Sequence, residues 1–205
     1  MRADYTGFAV SEAETQAEAQ GQVARDDELD AEAQARRRLA LAQIRQYPDP
    51  VLRMPAHEVD TFDDVLQGLL RRMRQLMHDA NGVGLAATQV GILQRVFVFQ
   101  QDEETHAIVN PVITARSQEL ASDDEGCLSL QGVLVPVERH VGLTLEGKDE
   151  SGAGLRFELE GLPARVAQHE LDHLDGTLII DRTTDEARKQ ALATLRPKPI
   201  LAAIG

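Results

Sequence analysis

The sequence predicts an α+β fold: antiparallel or mixed β-sheets around a central helix with a metal-binding H-E-x-x-H pattern, flanked by an N-terminal and a C-terminal helix. Three observations carry this. Six short β-rich runs follow one another between about residues 95 and 159. Segments of helical periodicity stand before and after that block. Strands and helices do not alternate strictly, as a parallel α/β sheet would require. The 205 residues, 42% hydrophobic and 27% charged, suffice for one folded domain with an appendage.

The elements are justified in order. Residues 1 to 40 hold ten alanines and nine acidic against five basic residues, without a sustained apolar stripe. They read as an acidic, Ala/Gln-rich extension, mobile or helical, ahead of a single catalytic domain over residues 41 to 205. The extension lacks the apolar block of a secretory signal and is too acidic for an organellar presequence. Tyr47-Pro48-Asp49-Pro50 marks a turn. Thr61 is a candidate cap for a helix in which Val65, Leu66, Leu69, Met73, Leu76 and Met77 recur at helical spacing, until Asn81-Gly82 stops it. Arg71, Arg72 and Arg74 are expected on its solvated side. Predicted strands cover Arg95 to Gln100, Ala107 to Val109, Val112 to Ala115, Val133 to Val137, Val141 to Leu145 and Leu155 to Leu159. A second helix is expected over Leu162 to Leu174 and a third over about Asp185 to Leu195.

Composition narrows the function classes. With 34 acidic and 21 basic residues the formal charge is -13, a field that repels polyanions, so sequence-specific nucleic-acid binding is not expected. A lone cysteine, Cys127, forms no intrachain disulfide and fits a reducing, cytoplasmic setting. No apolar run approaches the roughly 18 residues of a membrane helix.

The most chemical stretch is His169-Glu170-Leu171-Asp172-His173. Residues four apart on a helix lie about 5–6 Å apart at Cβ, so both imidazoles can meet one ion. Glu170, beside them, is placed to take a proton from metal-bound water. The pattern alone arises by chance in roughly a few per cent of chains this size. Two third ligands stand open. One is Glu186, the only downstream glutamate, which would make a peptidase-like site. The other is Cys127, within Glu125-Gly126-Cys127-Leu128-Ser129, where a thiolate is a strong ligand. His57, His78, His106 and His140 lack ligand spacing and read as surface or structural residues.

Three segments together match one family. Gly82-Val83-Gly84-Leu85-Ala86-Ala87-Thr88-Gln89, then Glu125-Gly126-Cys127-Leu128-Ser129, then Gln168-His169-Glu170-Leu171-Asp172-His173-Leu174-Asp175-Gly176 stand in the order and spacing of peptide deformylases, which the chain resembles from about Ile44 to about Leu195. Gln131 and Thr88 stand where that family often has proline, which bears on substrate or inhibitor preference.

The resemblance implies a metal-dependent hydrolase that removes the formyl group from the initiator N-formylmethionine of nascent polypeptides. It implies Cys127, His169 and His173 as ligands of one divalent metal, Fe2+ in cells, with Zn2+, Ni2+ or Co2+ tolerated, and a metal-activated water as nucleophile. Glu170 is then the general base, with the Gln89 amide and the Leu128 backbone N–H stabilising the oxyanion. Val83, Gly84, Leu128, Leu162 and Val166 match the methionine pocket, with the alkyl stem of Arg165; Glu125 and Arg139 match a supporting salt bridge. Docking to the ribosome is implied by nascent-chain substrates, and Arg182, Arg188, Lys189, Arg196 and Lys198 are candidates for a local basic patch. Two rivals stand beside this reading: an H-E-x-x-H metallopeptidase, and a catalytically silent binding protein of the same fold.

Overall fold

The structure, a computed structural model, describes residues 31–196. Residues 1–30, most of the expected extension, and Lys198 of the candidate basic patch lie outside it. Helix α1 (Ala31–Leu41) consists of good helix formers and buries Ala40, Leu41 and Arg37 against the next helix. Arg37 Nε donates to the carbonyl of Ala80 at 3.2 Å. The boundary expected at residue 40 therefore falls inside a helix that packs on the body. The apolar contact sits only at the helix's C-terminal end, with an arginine stem covering the rest, so periodicity does not register it.

Helix α2 (Asp64–Asp79) buries Leu66, Leu70, Met73, Leu76 and Met77. Its cap is Asp63 rather than Thr61: the Asp63 carboxylate accepts the N–H groups of Val65 and Leu66, both at 3.0 Å. Val65, expected in the core, is 77% exposed because it lies off the 66/70/73/77 stripe. Arg71 and Arg72 face solvent, while Arg74 bonds Glu150 at 2.8 Å.

Seven strands follow: β1 (Gly84–Ala86), β2 (Val96–Gln101), β3 (Glu104–Arg116), β4 (Leu120–Glu125), β5 (Val135–His140), β6 (Gly142–Lys148) and β7 (Gly154–Glu160). They form a five-stranded sheet in the order β1-β2-β3-β6-β7 and a two-stranded β4-β5 sheet, antiparallel at every strand pairing. The two runs expected at Ala107 to Val109 and Val112 to Ala115 are one long strand. Asn110, at φ 50°, makes a bulge between them rather than a break, and its side chain bonds both the N–H and the carbonyl of Val59. Neither β1, too short for a pattern, nor β4, with the polar sequence Leu-Ala-Ser-Asp-Asp-Glu, carries an alternation signal.

Helix α3 (Leu162–Leu174) packs on β1, β2 and β7, and α4 (Asp185–Thr194) starts at the Thr184 cap, whose hydroxyl accepts the Ala187 N–H at 3.3 Å. Among the described residues no helix is long and apolar enough to cross a membrane. The buried apolar residues form three clusters. Leu128 belongs to the one under α2, Val166 to the one between α3 and the large sheet, and Cys127 to the one that also holds Ile179 and Ile180. The adjacent Cys127 and Leu128 are thus anchored in two different clusters.

Helix α3 ends at Leu174 with Asp175 as its C-cap, and Gly176 turns the chain at φ 73°. A Cβ there would stand 2.6 Å from the Arg53 carbonyl oxygen, whereas a Cβ at Gly132 (φ 75°) meets nothing within 4 Å. Gly132→Ala should therefore cost only left-handed strain, about 1–2 kcal/mol, and Gly176→Ala measurably more. Urea unfolding of both variants checks this; equal losses would contradict it.

Candidate metal centre

Helix α3 presents His169, Glu170 and His173 toward the sheet, and all three are buried. One turn of helix separates the imidazoles, whose centroids lie 4.9 Å apart. Cys127 follows β4 through Gly126, and its Sγ lies 3.2 Å from His173 Nε2. One nitrogen from each histidine and the sulfur all lie within 4.8 Å of one another. Ligands at about 2.0–2.3 Å from a tetrahedral ion sit roughly 3.3–3.8 Å apart, so small side-chain adjustments bring this set onto one cation. Among the described residues it is the one cluster of three such groups.

The surroundings orient the donors. His169 Nδ1 stands 3.0 Å from Glu125 Oε2, and an ionised carboxylate only accepts, so Nδ1 carries the proton and Nε2 is free to ligate. Burial pushes the Glu125 carboxyl up, but the hydrogen bonds of His169 and Arg139 outweigh it and hold the group well below the usual carboxylate range. Burial, then the neighbouring His169, pushes His173 well below its ordinary value, which keeps it neutral. Burial pushes the Cys127 thiol up to about 12, so a cation binding there displaces a proton. Two hydrogen bonds already point at that sulfur, from Ser129 N at 3.4 Å and from Gln89 Nε2 at 3.7 Å.

Glu170 is in a different state. Burial and then the charge of Glu125 raise its carboxyl well above the ordinary value, and its Oε2 has no protein partner. The backbone of Gly84 runs directly beside it. A Cβ at that position would overlap the Glu170 carboxylate and lie 2.8 Å from Val166 Cγ1. Only glycine lets the strand backbone come this close to the Glu170 carboxylate. Gln89 is fixed through its oxygen, which accepts the Ala86 N–H at 2.8 Å, so its amide nitrogen faces Cys127 and Ser129. The donor set, three N and S atoms with an unpartnered carboxylate beside them, fits a divalent transition metal with an open position.

Of the remaining expected site residues, Leu128 and Val166 are buried, Leu128 against Gly82 and Val166 against Gly84. Val83 is partly buried and Leu162 is 41% exposed at the start of α3. Arg139 Nε and Nη2 bond the two Glu125 oxygens at 2.9 and 3.0 Å. Arg165 directs its guanidinium to Glu125 and to the backbone of the β4-β5 hairpin. Glu186 is exposed on α4 and accepts from Gln190, outside the cluster. His78 bonds Thr105, His106 stacks on Phe99 and Phe157, and His140 bonds the Ser117 carbonyl.

Sequence reasoning missed Ser129, Thr88 as a structural donor, and Asp172. Thr88 Oγ1 donates to the His173 carbonyl at 3.2 Å. Asp172 accepts from Arg139 at 2.6 Å and from Arg182 at 2.6 and 3.1 Å. The available sign was an acid, Asp172, between the two histidines of a helix pattern rich in apolar residues.

Comparison with known proteins agrees with this geometry. The family described as polypeptide deformylase matches residues 41–189. The peptide deformylase of Acidothermus cellulolyticus is 44% identical over 158 residues, covering 77% of this chain and 87% of that protein. That of Thermotoga neapolitana is 45% identical over 140 residues, 68% of this chain and 85% of the relative. Among solved structures, a peptide deformylase from Legionella pneumophila superimposes with a TM-score of 0.71 at 38% identity, covering 74% of this chain and 91% of that one. One from Synechococcus elongatus in complex with actinonin gives a TM-score of 0.71 at 38% identity, covering 74% and 85%.

The two candidates for third ligand separate in one experiment. Cys127→Ala should abolish stoichiometric metal retention after gel filtration, and Glu186→Ala should leave it unchanged, as metal analysis of the two variants will read. Loss of metal from Glu186→Ala alone would reverse the assignment.

Proposed function

The chain belongs to the polypeptide deformylase family, and we propose that Cys127, His169 and His173 hold the divalent metal on which this hydrolase depends, ferrous iron in cells. The reaction removes the formyl group from the N-formylmethionine of a nascent polypeptide and releases formate. The metal, when bound, supplies Lewis acidity that lowers the pKa of a coordinated water from about 15.7 toward about 7. Irving–Williams ordering favours other ions over iron, so zinc, nickel or cobalt would occupy the same donors in purified protein.

The chain's own groups do the rest. Glu170 takes a proton from the attacking water and returns it to the departing amine. Burial and the charge of Glu125 raise its pKa, which makes it the stronger base. Gln89, held through its oxygen, and the backbone N–H of Leu128 donate to the developing oxyanion; each such donor is worth about 10²–10³ in rate. Val83, Gly84, Leu128, Leu162 and Val166, with the alkyl stem of Arg165, receive the methionine side chain. The Glu125–Arg139 pair supports His169 from behind. The observation that carries the reading is the buried Glu170 carboxylate, packed against Gly84 with its Oε2 unpartnered, next to the Cys127/His169/His173 cluster.

We propose that the enzyme works in the cytoplasm, at the ribosome, where nascent chains emerge. For docking there, Arg182 and Arg188 are engaged by Asp172 and Asp181, which leaves Lys189 and the exposed Arg196 as the described members of the basic patch.

Protein prepared anaerobically with ferrous iron should release formate from a formyl-Met peptide. Glu170→Ala should keep its metal and lose about 10²–10⁴ in kcat. Absence of formate from metal-loaded parent protein would sink the enzymatic reading in favour of a silent binding protein.

A further inference from the structure

The hydrogen bonding around Glu125 is complete. A carboxylate offers about four lone-pair sites. Oε1 accepts from Arg139 Nε at 2.9 Å and Arg165 Nη1 at 2.8 Å; Oε2 accepts from Arg139 Nη2 and His169 Nδ1, both at 3.0 Å. Glu125 is only 2% exposed, so water cannot readily replace a lost donor. Arg139 is itself shared, because its Nη1 bonds Asp172 at 2.6 Å.

Arg165 holds more than the carboxylate. It stands on α3, one helical turn ahead of His169, with its side chain 11% exposed. Nη1 also donates to the Val137 carbonyl on β5 at 2.9 Å. Nη2 donates to the Ala121 carbonyl and to Asp123 Oδ2 on β4, both at 2.9 Å. One guanidinium therefore ties the helix that carries both histidines to both strands of the hairpin that leads into Cys127. A planar fork with five donors can do this; an ammonium cannot reach all four acceptors at once.

We infer that Arg165 is a positioning residue of the metal centre. Held in place by its bonds to β4 and β5, it fills the last acceptor site of Glu125 and through that carboxylate fixes the His169 imidazole. This role belongs to its guanidinium and is separate from the contact its alkyl stem offers the substrate. The inference rests on Cys127, His169 and His173 being the ligands. Without Arg165 the Glu125 Oε1 keeps one donor, the carboxylate can turn about Arg139, and the His169 ring turns with it. Losses of such outer partners typically cost about 10–100-fold in metal affinity.

The test is the rate at which Co(II)-loaded full-length protein releases its ion to excess chelator, read alongside the visible absorption of the bound cobalt. Arg165→Met should speed release by about 10–100-fold and shift the absorption band. Arg165→Lys keeps stem and charge, and should move both readouts in the same direction by less, so it serves if the methionine variant does not fold. In a Glu125→Gln background, where the carboxylate route is already broken, either substitution should add less than about threefold. Acceleration of equal size in both backgrounds would mean a general structural role and overturn the inference, as would release within about twofold of the parent for both variants. Failure of the parent to hold cobalt, or equal retention by Cys127→Ala, would instead remove the ligand assignment beneath it.

Discussion

A carboxylate with almost no access to water cannot stay ionised alone, and Glu125 is that carboxylate. Burying an isolated charge costs several kcal/mol, so the fold must bring donors to it: Arg139 from β5, Arg165 and His169 from α3. The same hydrogen bonds that keep Glu125 charged decide which nitrogen of His169 carries the proton and which one points at Cys127. Taking away one partner of such a buried set commonly costs about 3–5 kcal/mol, because the remaining charge is stranded. Asp172 extends the set outward to Arg182 at the surface. Electrostatic satisfaction and site geometry are here one constraint, and the apolar clusters that hold Cys127, Leu128 and Val166 keep it in place.

The contrast between the two buried glutamates follows from it. Glu125 has four donors and is driven to the charged form; Glu170, with none on its Oε2 and a charged neighbour, is driven toward the neutral one. Two carboxylates within one helix-and-strand junction are thus pushed in opposite directions, the division that the proposed support and the proposed proton carrier require.

How much of this was legible in the residues depends on the kind of signal. Helices α2, α3 and α4 were readable because caps and 3.6-residue periodicity are local. The cap itself moved from Thr61 to Asp63, and Val65 turned outward, since one residue of phase places a side chain about 100° around the helix. Strand β4 was not readable. Its polar residues gain nothing from an apolar face, and they form a strand because β5 pairs with them and Arg165 grips their backbone. Asn110 looked like a strand end and is a bulge, since its side chain takes up the backbone partners that a break would have freed. In the site, the pair His169 and His173 was legible from spacing on one helix, and resemblance to a family supplied Cys127, Gln89 and Glu125. Asp172 and Ser129 were not read, because their roles come from groups brought close only by the fold: Arg139 and Arg182 for one, the Gln89 amide for the other.

X-ray absorption at the metal edge of the iron- or cobalt-loaded protein tests the central claim most directly. Convergence of Cys127, His169 and His173 on one ion predicts a single sulfur at about 2.3 Å and two imidazole nitrogens at about 2.0–2.1 Å, with light-atom scattering completing the shell. A shell containing nitrogen and oxygen without sulfur would contradict the account.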